Sequence, residues 1–363
     1  MLTVKPQIAA LSIYRPPWSS LDRTAFLRFD LNENTLPLPD CVKAALKAFI
    51  DSDRIPLYPD YAAFMPKLAR YVGAEPEQLL VANGSDQGIE VVLRTFLGEG
   101  DELLMAQPGF PMFSQIAGVI GAKVRGIPYT PDLRFPRRDF FAAVNSATKL
   151  IVLVNPDNPT GVAISLDVIE EALALRPDLP VLVDEAYYEF TGATALPLLA
   201  KYPNLIILRT FSKAFALGGL RIGYIIARPE LITEFTKVRG PFDVNTCALT
   251  AAEAQLDDPA ETWRHFPQET MQVSKPHLEA FFKKNGVKCY PGAAHFMLVE
   301  PENRDGAVAF LKERGILVRP MVAPAIKTTF RMNVGTLEQT QRFTAAYADY
   351  LRQNQLKESR CRL

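Results

Sequence analysis

Leu205-Ile-Ile-Leu-Arg-Thr210-Phe-Ser-Lys213-Ala-Phe-Ala-Leu-Gly-Gly-Leu-Arg221-Ile-Gly223 begins as an apolar, β-like run and gives way to hydroxyls, small residues and glycines. A strand that is apolar along its whole length is covered on both faces, the situation of a parallel sheet between helices. Lys213 stands just past the end of the strand Leu205–Arg209. A cleft at that strand end lets an amine lose its proton, as Schiff-base chemistry with an aldehyde requires. Eight residues further on, Arg221 can grip a phosphate with two parallel charge-assisted hydrogen bonds.

Six other short runs have the same character: Leu79–Ala82, Glu102–Met105, Lys123–Ile127, Leu150–Val154, Val181–Val183 and Tyr224–Ala227. Helical spacing fills intervening stretches such as Gln87–Leu97, Leu166–Leu175 and Ala193–Lys201. The alternation predicts an α/β fold with a mostly parallel, seven-stranded sheet, whose ligands sit at the carboxyl ends of the strands. Residues 1–30 read as an irregular arm, and a helix follows from Asp40. Beyond about residue 245 the order changes to helices (Cys247–Leu256, Thr270–Lys284) and then short strands (Lys288–Tyr290, Phe296–Val299, Ile316–Val318, Phe330–Asn333), closed by a helix over Thr340–Asn354. That predicts a smaller α+β domain, with an arm and the start of the small domain over 1–45, a large domain over 46–244 and a small C-terminal domain over 245–363.

With 40 basic and 40 acidic residues, the chain lacks the basic excess that nucleic acids or anionic membranes demand. Cys41, Cys247, Cys289 and Cys361 are scattered, and His265, His277 and His295 lack metal-ligand spacing, so neither a disulfide framework nor a metal site is expected. No signal peptide is visible and no apolar run reaches the ~20 residues that span a bilayer, so a soluble cytoplasmic protein is expected.

Three further motifs fall at strand ends. Asn83-Gly84-Ser85-Asp86 follows a strand and opens a helix, which makes an anion site of its amides; ordinary helix capping explains the same residues. Asn155-Pro-Asp-Asn158-Pro-Thr-Gly161 sets a carboxamide donor in a loop stiffened by prolines. Val181-Leu-Val-Asp184-Glu-Ala-Tyr187 ends an apolar strand in a carboxylate, whose burial calls for a cationic partner such as a protonated pyridine nitrogen.

The order and spacing of Asn-Pro-Thr-Gly, Asp-x-x-Tyr and Ser-Lys with its arginine resemble those of fold-type-I pyridoxal-phosphate enzymes. Among these the chain looks like the histidinol-phosphate aminotransferases, over nearly its whole length from Leu31-Asn-Glu-Asn34 to Phe330-Arg-Met-Asn-Val-Gly-Thr336. The resemblance implies a PLP-dependent transaminase in which Lys213 carries pyridoxal 5'-phosphate, Asp184 pairs with its ring nitrogen, and Asn158 and Tyr187 bond its phenolic oxygen. It implies a phosphate site of Arg221, Ser212, Thr210 and the Gly84-Ser85-Asp86 turn. Tyr58 would reach the cofactor of a second subunit in a homodimer, and Arg319, Arg331 and Tyr14 would meet the substrate, a small anionic amine or a 2-oxo acid. Phe110 falls where an aromatic ring stacks on the cofactor and where histidinol-phosphate aminotransferases often have tyrosine. Stacking needs only the π-face, yet the missing hydroxyl keeps two relatives in view, a threonine-phosphate decarboxylase and an aromatic amino-acid aminotransferase. A non-catalytic binder of the same fold has no need of both the lysine and the buried acid.

Overall fold

The computed structural model describes residues 2–13 and 21–361. Its larger sheet has seven strands: β2 (Leu79–Ala82), β3 (Glu102–Gln107), β4 (Lys123–Pro128), β5 (Thr148–Val154), β6 (Val181–Asp184), β7 (Leu205–Thr210) and β8 (Gly223–Ile226). They lie in the order β2-β8-β7-β6-β5-β3-β4. Neighbours from β7 to β4 run parallel, and β8 alone runs against both of its partners. Side chains alternate between two cores. Val81, Leu104, Ile151, Val183 and Ile207 face one, and Leu80, Leu103, Val152, Leu182 and Ile206 face the other. Each fully buried Ile or Leu of this kind contributes about 1.5–3 kcal/mol of transfer free energy, which explains why these strands carry no polar face.

The second sheet has five strands, β1 (Leu27–Phe29), β9 (Lys288–Tyr290), β10 (Phe296–Glu300), β11 (Ile316–Pro320) and β12 (Phe330–Asn333), in the order β1-β11-β12-β10-β9. Leu27, Phe29, Val299, Ile316 and Met332 meet Phe343 and Tyr347 of the last helix, Leu337–Cys361, in its core. Helix Thr246–Asp257, capped by the Asn245 side chain, buries Ala248, Leu249, Ala251 and Ala252 against the larger sheet's core.

Three expectations need correction. Residues 1–30 are not wholly irregular: Pro6–Ala9 is a short helix, and β1 pairs in parallel with Ile316–Val318. The helix expected over Ala193–Lys201 is a 3-10 segment confined to Leu196–Ala200. Pro197 can lead such a segment but supplies no amide for a longer helix. The helix expected from Thr270 begins at His265 and runs to Lys284 through a π-helical turn at Thr270–Ser274. Among the described residues no helix is long and apolar enough to cross a membrane, and no cluster of His, Cys, Asp or Glu is arranged to hold a metal ion.

Candidate active site

The carboxyl edge of the larger sheet gathers the motifs. β6 ends in Asp184, β7 in Thr210, and the loops after β5 and β3 bring Asn158 and Phe110. Antiparallel β8 begins at this same edge, so Arg221 just before it arrives from the other direction. Ser85, Asp86, Phe110, Asn158, Asp184, Tyr187, Thr210, Ser212, Lys213 and Arg221 all line one cleft of about 130 Å³.

One end of the cleft suits an anion. Helix Gly84–Phe96 starts there without a side-chain cap from Asn83, leaving its first amides facing the cleft edge. The Arg221 guanidinium lies against this turn, bonded to Asp86 Oδ2 at 3.1 Å and Ser212 Oγ at 3.4 Å. Thr210 Oγ1 donates to Ser212 Oγ at 2.9 Å, tying the hydroxyls together. Gly84 has φ +74°, and a Cβ there would stand 2.5 Å from Arg221 Nη2, so glycine is what admits the guanidinium. Arg221 itself holds φ +56°, a left-handed conformation that is costly for a long side chain and is found mostly at functional sites.

The cleft also holds a buried acid. Asp184 is 4 % exposed and accepts a hydrogen bond from the Ala186 amide at 3.1 Å. Burial pushes its carboxyl up to about 7, with the negative charges of Asp86 and Glu185 adding to the effect. Tyr187, also buried, is pushed up to about 12 by burial, so it stays a neutral phenol. Lys213 lines the same cleft, its Nζ donating to Leu31 O at 3.1 Å. Burial, with the Arg331 charge next, draws its ammonium down to about 8. A substantial neutral fraction therefore exists near physiological pH.

Arg331 of β12 bonds to Asn158 Oδ1 and to Asp30 O, the latter at 2.8 Å, and thereby joins the two lobes at the cleft. Arg319 sits opposite it in the β11–β12 register, half-buried, with its Nη1 enclosed and without a hydrogen-bond partner among the described residues. Tyr58 is not in the cleft of its own chain: it is 77 % exposed and stacks on Phe242 at 4.4 Å. Tyr14 lies outside the described residues.

Several residues about the site carry little signal in the sequence alone. Asn32 Nδ2 donates to Tyr187 Oη at 2.9 Å, and Asn34 Nδ2 to Ala214 O, next to Lys213, at 2.8 Å. The repeated asparagines of Leu31-Asn-Glu-Asn34 were the available hint. His295 stacks on Phe190 with ring centres 3.8 Å apart, and burial and nearby cations hold it well below its usual range, hence neutral. Behind Asp184, Arg209 and Glu185 form a pair at 2.9 Å that is almost wholly buried.

The residues fit pyridoxal 5'-phosphate on grounds internal to this cleft. A buried carboxylate, a guanidinium set against the uncapped start of a helix, and a deprotonatable amine all line one cleft. A lysine so placed on a sheet of this topology defines a fold-type-I pyridoxal-phosphate enzyme.

The chain belongs to the aminotransferase class I and II family, whose model matches residues 24–346. A histidinol-phosphate aminotransferase of Geobacillus sp. (strain WCH70) is 35 % identical, the match covering 98 % of this chain and 100 % of that protein. Histidinol-phosphate aminotransferase 1 of Mannheimia succiniciproducens is also 35 % identical, over 92 % of this chain and 94 % of that one. In three dimensions the chain is similar to the histidinol-phosphate aminotransferase of Sinorhizobium meliloti solved in complex with pyridoxal-5'-phosphate. That match has a TM-score of 0.84 at 26 % identity and covers 96 % of this chain and 98 % of the other. The protein is a pyridoxal-phosphate-dependent transaminase acting on small amines and oxo acids.

Proposed function

We propose that this transaminase exchanges the amino group of an anionic amine, histidinol phosphate first among them, with a 2-oxo acid such as 2-oxoglutarate. The observation that carries the reading is the pair of arginines, Arg331 at the cleft and Arg319 opposite it in the sheet register. A guanidinium fork fits a carboxylate or a phosphate through the same planar geometry, so one clamp serves both half-reactions. The names of the relatives support the choice of amine.

When bound, the cofactor supplies an aldehyde that takes up the substrate amine and a ring that draws electrons away from the substrate Cα. Lys213 Nζ, whose proton is loosened by burial and by the Arg331 charge, would in its neutral form take the proton from that Cα and return it to a neighbouring carbon. Asp184 would hold the ring nitrogen and favour its protonated form, a cation that would in turn favour the charged carboxylate. Arg221, Ser212, Thr210 and the amides of Ser85 and Asp86 hold the phosphate, with Gly84 leaving room for the guanidinium. Asn158 and Tyr187 offer donors to the phenolic oxygen, and Phe110 offers an aromatic face at the cleft wall.

We also infer a cytoplasmic homodimer with shared sites. The exposed cluster Ile55, Leu57, Tyr58 and Phe242 is an apolar patch that a second copy would cover, bringing Tyr58 to the partner's phosphate site. Unpaired Cys41, Cys247 and Cys289 accord with a reducing compartment.

The test is a half-reaction screen of the cofactor-loaded protein. Histidinol phosphate should convert the bound cofactor to its amine form, and 2-oxoglutarate should restore the original spectrum. Carbon dioxide release from a phosphorylated amino acid without any 2-oxo acid would turn the reading to decarboxylation. A preference for phenylalanine or tyrosine would turn it to an aromatic substrate.

A further inference from the structure

Asn32 stands at an unusual crossing of contacts. It follows β1 of the smaller sheet, is 1 % exposed, and holds φ +55°, a left-handed conformation that asparagine tolerates better than most residues. Its Nδ2 lies 2.9 Å from Tyr187 Oη, and the preceding carbonyl, that of Leu31, accepts the Lys213 amine. Its own carbonyl lies 3.3 Å from His295 Nε2. Because His295 is neutral, stacked on Phe190 and enclosed, that contact fixes the Asn32 backbone from the far side. Two consecutive residues of the smaller lobe thus touch both the lysine and the phenol of the cleft.

With Nδ2 facing the phenol the Tyr187 oxygen accepts in this contact, and Asn32 Oδ1 is buried without a hydrogen-bond partner among the described residues. The phenol has one hydrogen of its own and no other hydrogen-bonding partner among the described residues. The side chain lines the cleft, so the cleft is open to that hydrogen. The charged groups felt by Tyr187 are Arg331, Asp184 and Asp157, none of which is hydrogen-bonded to its oxygen.

We propose that Asn32 is a positioning residue whose amide commits Tyr187 to donate its hydrogen toward the cofactor's phenolic oxygen. The proposal rests on the cofactor site described above. It adds that the smaller lobe, through Asn32, sets the direction of a hydrogen bond made by the larger one.

The experiment is a pH titration of the visible absorbance of the cofactor-loaded, substrate-free protein, run on wild type, N32G, N32D and each in combination with Y187F. A ring oxygen that loses its donor becomes a stronger base, so the midpoint should rise. N32D replaces the donor by a carboxylate that only accepts, which turns the Tyr187 hydrogen away from the cleft. Its midpoint should rise by about one unit or more, the worth of a hydrogen bond to a charged group. N32G keeps the left-handed backbone without the amide, and its midpoint should rise by less. In the Y187F background both shifts should largely disappear, because the effect passes through the phenol. A midpoint that falls in N32G would mean that Tyr187 had been donating to Asn32, and the proposal would be wrong. Equal shifts with and without the Tyr187 hydroxyl would also overturn it, since they would reflect charge at position 32 alone. If N32D fails to fold, the sign of the N32G shift still decides. Failure of the wild type to take up pyridoxal phosphate would sink the site itself, an outcome distinct from a coloured wild type whose Asn32 variants do not shift.

Discussion

Replacing Lys213 by methionine should make the cofactor-free protein more stable, although the lysine is the residue the chemistry most needs. The ammonium is drawn from its ordinary 10.5 down to about 8 by burial first and by Arg331 next. A depression of roughly 2.5 units corresponds to about 3 kcal/mol against the charged form in the folded state. The variant also loses the bond from Nζ to Leu31 O, worth about 1 kcal/mol. Methionine occupies a similar volume, so no cavity penalty is added. A net gain of about 2 kcal/mol is expected at pH 7. Between pH 8 and 10.5 the folded lysine is neutral while the unfolded one still binds its proton, so wild-type stability rises with pH across that window. The advantage of K213M should shrink over the same interval. Denaturant unfolding of both cofactor-free proteins at fixed concentration, from pH 7 to pH 10.5, reads this directly. A K213M protein that is less stable at pH 7, or a difference that ignores pH, would refute the claim that the cleft desolvates this amine.

Gly84→Ala should weaken cofactor binding roughly tenfold or more, since its Cβ meets the Arg221 guanidinium and its φ is positive, each a cost on the order of 1 kcal/mol; fluorescence titration with pyridoxal phosphate checks it. Arg209→Ala should cost about 3–5 kcal/mol of stability, because Glu185 would be left buried without its partner; thermal melts of the cofactor-free protein should show it before any assay of activity. Mixing inactive Lys213→Ala chains with Tyr58→Ala chains should recover activity, because a hybrid dimer holds one site with both residues intact; no recovery from subunits proven to exchange would argue against shared sites.

What could be read from the chain follows from where each residue's information lies. Most strands of the larger sheet were legible because burial on both faces makes them continuously apolar, the edge strand β4 being the exception, and Leu166–Leu175 because its apolar stripe repeats at helical spacing. β1 escaped notice because three residues are too few to display a period, and its partner β11 lies almost three hundred residues away. Helix Pro111–Ile120 is apolar nearly all round and opens on proline, so neither stripe nor polar cap marks it. Lys213, Asp184, Asn158 and Arg221 stood out because each is a polar group at the end of an apolar strand or in the loop beyond it. Asn32 and His295 did not, since an isolated asparagine or histidine says nothing until the fold sets it against Tyr187 or Phe190. Tyr58 has meaning only beyond its own chain, and Phe110 shows a stacking face without showing which substrate it favours.

One experiment bears most directly on the site: reduce the pyridoxal-phosphate-loaded protein with borohydride, digest it, and locate the cofactor mass by mass spectrometry. We expect the label on the peptide containing Lys213 and nowhere else, with none in the K213M protein. A label on another lysine, or an unlabelled Lys213 in protein that has bound the cofactor, would contradict the assignment.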